Sequence, residues 1–169
     1  MKNLVSTTPE IKELQPKVLV GVKKEVSVLT MDNVAHWKSF MARREEVVNH
    51  IRGEYYSVQE YGDLYSFSNF NPAAKFKKWA AVAVLELQDT PDGMDVLELQ
   101  SGLYAVFIHK GMAKDFSSTF QYIFSEWMPN SIYELDNRPH FEFLDERYLG
   151  PTNSKSEEEV WIPIKSKNL

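Results

Sequence analysis

Glu142 is the residue around which chemistry can be built. In HFEFL (140–144), two-residue alternation puts Phe141 and Phe143 on one face of a strand and sends Glu142 and His140 to the other. One face is core, and the other is groove or water. In a groove walled by aromatics a carboxylate has a raised pKa unless a cation arrives, so Glu142 there can bind an organic cation, act as a general acid, or act as a base toward water. The bland alternative is a solvent-facing strand glutamate. Tyr104 points away from Leu103 and Ala105, and its hydroxyl can orient a ligand or donate to a developing oxyanion beside Glu142; otherwise it simply packs at a groove edge. Trp161 stands on the opposite face of its strand from Val160 and Ile162, which suits a groove wall.

The first half of the chain supplies Tyr55, Tyr56, Tyr65, Phe67, Phe76 and Trp79. A box of such faces around a carboxylate attracts organic cations by on the order of 0.5 to 2 kcal/mol per good face. The irregular stretch 63–77 hides which of them contribute. Trp37 and Trp127 fall on apolar helix stripes and belong to the core. Other chemistries lack their residues. His36, His50, His109 and His140 include no pair at helical metal-ligand spacing, so no metal is expected. There is no cysteine, no G-x-S-x-G elbow and no Gly-rich phosphate loop, which leaves no thiol nucleophile, disulfide or cofactor signature. The run Glu157, Glu158, Glu159 reads as a solvated strand entrance.

These residues need elements to hold them. KVLVGVKKEVSVL (17–29) reads as a strand, and a helix follows, capped by Asp32 or Asn33 and stopped by Gly53. Its apolar stripe is Val34, Trp37, Met41, Val48 and Ile51. EYYSVQEYG (54–62) and KWAAVAVLELQ (78–88) are the next strands. DTPDGMD (89–95) marks a boundary between halves. The order then repeats: strand 102–111, helix 114–129 with Phe116, Phe120, Ile123 and Trp127 inward, strand 138–148 and strand 160–165. The expected fold is α+β: two pseudo-symmetric β-α-β-β modules, about 17–88 and about 102–165, with antiparallel sheets forming a concave groove and helices packed behind, in one domain spanning 1–169.

The chain has 169 residues, 43% hydrophobic and 13% aromatic, enough for one core. Its net charge of -5 with scattered basic residues gives no footprint for direct nucleic-acid binding, and it suits a cationic or neutral ligand. The start, MKNLVSTTPEIKELQP, carries no export signal, and no apolar run could cross a membrane, so a cytoplasmic protein is expected, monomeric or dimeric.

In the second half, GLYAVFIHKG, a helix end SEWMPNSIYEL, PHFEFLDERY and EEEVWIPIK follow one another. In that order they resemble the GyrI-like small-molecule-binding family, the effector-binding domain attached to AraC-type and MerR-type multidrug regulators. The first half agrees in layout, with KWAAVAVLEL similar to the family's central strand. The resemblance implies a ligand groove between the two modules and a buried glutamate on its floor that meets cationic aromatic compounds; Glu142 is the matching position. With it come Tyr104, Trp161, Tyr55, Tyr65, Phe67, Trp79 and His140 as ligand-binding candidates. Two features depart from the regulators: about 16 residues precede the first strand, too few for a DNA-reading module, and the helix end has Met128 and Ile132 where the motif more often reads W-L-P and Ser-Gly-Tyr.

The chain is accordingly expected to be a stand-alone binder of a small hydrophobic molecule, cationic or neutral. One alternative is a hydrolase of reactive small electrophiles, with Glu142 and Tyr104 catalytic. Another is a protein-interaction module resembling the members that bind gyrase.

Overall fold

A computed structural model of the chain describes residues 8–63 and 65–168. The fold is α+β, with antiparallel strands and few helices. Among the described residues no helix is long and apolar enough to cross a membrane. The chain divides into two compact units, Gln15–Gln100 and a second made of the segment up to Leu14 together with Ser101 onward.

In the unit Gln15–Gln100, β2 (Lys17–Val26) is followed by α1 (Asn33–Met41), β3 (Tyr55–Glu60), β4 (Phe76–Ala83) and β5 (Asp95–Leu99). β4 pairs with β3 and β2, and β2 pairs with β5. One sheet face packs on α1 through Val20, Ala80, Val82, Phe40, Val47 and Met94. The Asp32 carboxylate accepts the Ala35 N–H at 3.0 Å, as the capping signal requires. At Gly21 the β2 backbone runs so close to β4 that an added Cβ would strike the Ala80 carbonyl oxygen and Ala81.

The other unit contains β1 (Glu10–Leu14), β6 (Gly102–Lys110), a helical segment, β7 (Tyr133–Leu135), β8 (His140–Leu144) and β9 (Glu157–Ser166). Strand order is β1-β6-β9-β8, with β7 paired to the far end of β9. The helical segment starts as α2 (Phe116–Tyr122), widens into a π-turn (Ile123–Trp127) whose closing bond runs from the Met128 N–H to the Ile123 carbonyl, and ends as α3 (Met128–Asn130). Lys167 closes it by donating to the carbonyls of Ser131 at 2.6 Å and Pro129 at 3.1 Å. Ala105, Phe107, Val160, Ile162 and Ile164 pack against Ile123 and Met128 to make this unit's core.

The structure corrects several expectations. The first helix ends at Met41 and does not run to Gly53: Arg44 turns back to the Met41 carbonyl at 2.6 Å, and Asn49 adopts a φ of 63°. Val34 and Val48, assigned to its buried stripe, are 70% and 52% exposed, and the fully buried residue is Phe40. The boundary expected at 89–95 lies after β5, because DVLEL pairs with β2 through alternating Leu97 and Leu99. β1, which pairs with β6, occupies part of the stretch expected to precede the first strand.

Candidate functional site

Directly paired residues on antiparallel strands point to the same face, so the register sorts the second unit's side chains. Phe141 pairs with Trp161, Phe143 with Glu159, Tyr104 with Pro163 and Lys12 with Tyr104, all on the face away from α2. Glu142 pairs with Val160, itself packed under the helical segment, so Glu142 and, by alternation, His140 stand on the helix side.

On the face away from α2 three rings close on one another. Phe141 and Trp161 stack at 5.1 Å and 16°, and Tyr104 meets them at 5.4 and 5.7 Å. Tyr104 is fully buried and donates its hydroxyl to the Pro139 carbonyl at 2.8 Å; burial pushes its phenol up to about 12. The Arg138 guanidinium lies 4.7 Å over its ring. A carboxylate borders these rings. Glu159 accepts the Trp161 indole N–H at 2.9 Å and pairs with Arg147 at 2.6 Å, while Arg147 also grips Asp145 at 2.8 Å and holds that carboxyl below its usual range. The expected solvated entrance thus contains a side chain only 16% exposed: Glu159 shares its face with the aromatics, a parity that the run of three glutamates hides.

On the helix side, His140 is buried and stacks on Phe124 at 6.1 Å; burial holds its imidazole down at about 3, so it is neutral at any ordinary pH. Glu142, half-buried, belongs to this neighbourhood and not to the Tyr104–Trp161 cluster. The arrangement expected of a catalytic Tyr104 beside Glu142 is therefore absent, since the two project to opposite sides of the sheet and the Tyr104 proton is already donated.

The unit Gln15–Gln100 holds its own aromatic group. Tyr65 and Phe67 come together with Tyr61 and Phe76, with centroids from 4.5 to 5.9 Å apart. Tyr61 was not among the expected residues; its place one step past the end of β3 is the only signal for it. Trp79, buried on the face away from α1, donates its indole N–H to Glu60 at 2.7 Å and lies under the Lys23 ammonium. Tyr55, expected at the ligand, packs instead at 6.3 Å against Trp37 beside the α1 core, because its strand position points it to the helix.

The family model described as the GyrI-like small molecule binding domain matches residues 7–165. The transcriptional regulator BrlR of Pseudomonas aeruginosa is 30% identical over 128 residues, covering 76% of this chain and 44% of BrlR, so the chain spans less than half of that relative. The solved structure of SAV2435 bound to tetraphenylphosphonium has a TM-score of 0.67 at 18% identity, covering 93% of each chain. A structure described as a hydrolase encoded by lin2189 from Listeria innocua gives a TM-score of 0.58 at 10% identity over 96% of this chain and 94% of that one.

Proposed function

Because the chain belongs to the GyrI-like small-molecule-binding family, we propose that it captures a small hydrophobic organic molecule, neutral or cationic, on aromatic surfaces bordered by carboxylates. The observation that carries this reading is the group of Tyr104, Phe141 and Trp161 with Glu159 fixed beside it. Rings held at stacking distance by strand register are pre-organised, and a rigid apolar wall with one oriented polar group is the common design of a small-molecule site. The tetraphenylphosphonium in SAV2435, a neighbour in fold, supports an aromatic cation as the first probe.

Two carboxylates compete for the counter-charge. In our reading Glu159 serves a ligand on the aromatic face, and Glu142 serves one admitted on the helix side, where His140 stays neutral and Phe124 supplies a ring. The two β-α-β-β modules expected from the sequence each carry rings of their own, Tyr65 and Phe67 in one and Trp161 in the other.

Titration of tetraphenylphosphonium against tryptophan fluorescence and thermal stability tests the reading. We expect saturable quenching and a raised Tm. A loss of affinity of about tenfold or more in Glu159→Gln alone assigns the aromatic face, and the same loss in Glu142→Gln alone assigns the helix side. If no hydrophobic compound, charged or neutral, raises Tm, the binding function is wrong. Product formation from a strained electrophile, abolished by Glu142→Gln, would replace capture with hydrolysis.

A further inference from the structure

The two units repeat one local arrangement. In each, a tryptophan on a central strand donates its indole N–H to a glutamate, Trp161 to Glu159 at 2.9 Å and Trp79 to Glu60 at 2.7 Å. In each, a lysine from another strand stands over the same ring: Lys12 at 5.8 Å from the Trp161 centroid and Lys23 at 5.6 Å from that of Trp79. Register enforces both contacts. Lys23 lies directly across β2 and β4 from Trp79, and Lys12 lies opposite Tyr104 on the face that carries Trp161.

Donating its N–H to a carboxylate in a hydrogen bond polarises the indole and makes its face a better acceptor for positive charge. The acidic neighbours of the lysines hold them only loosely: Glu10 is 3.3 Å from Lys12 and Asp95 is 4.0 Å from Lys23, both on exposed side chains. The lysine side chains are themselves 38% and 40% exposed, so each ammonium keeps water and can be displaced.

We propose that Lys12 and Lys23 are resident cations on two tryptophan faces and tune the charge preference of the aromatic face, offsetting part of the affinity for organic cations that the carboxylates supply, relative to compounds of the same shape without positive charge. The inference rests on the aromatic-face reading above. A ligand cation must evict an ammonium that already enjoys the ring. A neutral ring packs on the lysine stem, and an anionic head group gains a partner. The exposed cation–π strength corresponds to about two- to fivefold in affinity per lysine.

Tetraphenylphosphonium and tetraphenylborate share a shape and differ in charge, so calorimetric titration of both reads the effect. We expect Lys12→Met and Lys23→Met each to tighten phosphonium binding about two- to fivefold and to weaken borate binding, the double variant shifting the ratio of affinities about tenfold or more. Lys12→Arg and Lys23→Arg, which keep the charge, should retain the wild-type ratio. Affinities that stay unchanged, or that move together for both ions, overturn the proposal. So does an equal shift in Lys114→Met, an exposed lysine elsewhere that tests net charge alone. If neither ion binds any of these proteins, the aromatic-face reading falls too, which separates the two failures.

Discussion

Tyr104 shows how closely the aromatic face is tied to its frame. Its hydroxyl hydrogen bond to Pro139, with Arg138 over the ring and gripping the carbonyls of Leu103 and Ile164, makes it a fixed wall and not a proton donor in waiting. Tyr104→Phe leaves the ring but takes the donor from a part-buried carbonyl, and should cost about 1 kcal/mol in urea unfolding. Three histidines contribute to the loss of stability in acid. His140, His109 and His36 are all held below their ordinary values, chiefly by burial. The folded state then refuses protons that the unfolded chain accepts, so the histidines' contribution to stability is complete above about pH 6.5 and is lost as pH falls toward the folded values. His140→Phe, which keeps a ring against Phe124, should flatten the decline between about pH 6.5 and 4.5; an unaltered pH–stability curve would show that His140 does not govern it. At this scale the sequence was half legible. Alternation along HFEFL correctly separated Glu142 from Phe141, but alternation says nothing about which face carries the helix, and that is what parted Glu142 from Tyr104 and Trp161.

Among the elements, those with strong local chemistry were readable and those that depend on a distant partner were not. The capping Asp32 announced α1, and the Val-rich run announced β2. β1 and β5 are five-residue edge strands whose existence depends on β6 and β2, far away in sequence. The helical segment illustrates a different limit. Regular spacing from Ile123 reaches Trp127, yet the π-turn adds a residue to the turn and brings Met128 to the core, 9% exposed, leaving Trp127 half-buried. Close approach gives the sharpest test of the sheet. Gly21→Ala puts a methyl into the β4 backbone at Ala80 and Ala81, and because backbone cannot yield as a side chain does, we expect a loss of at least about 2 kcal/mol by chemical denaturation. Lys167→Ala removes the cation closing α3 and should cost about 1 kcal/mol, read as faster amide exchange at Met128, Asn130 and Ser131.

For the whole molecule, the arrangement of the chain matters more than the content of either unit. The unit Gln15–Gln100 is inserted between β1 and β6, the strand with which β1 pairs. Unfolding the inserted unit alone would leave β1 tethered by a long loose loop, and closing that loop costs entropy. We therefore expect tryptophan fluorescence and far-ultraviolet circular dichroism to report coincident urea transitions; two separated transitions would show that the units melt independently.

The same placement of β1 has a consequence for how the protein is made. A ribosome releases residues 10–14 long before residues 102–110, and at about 5–20 residues per second that interval is on the order of ten seconds. During it the inserted unit can complete its own sheet, β5 included, while β1 still waits for β6. Vectorial synthesis thus makes β1 dock long after it emerges, and slowing translation between codons 15 and 100 should lengthen the time for which residues 10–14 stay open to proteases.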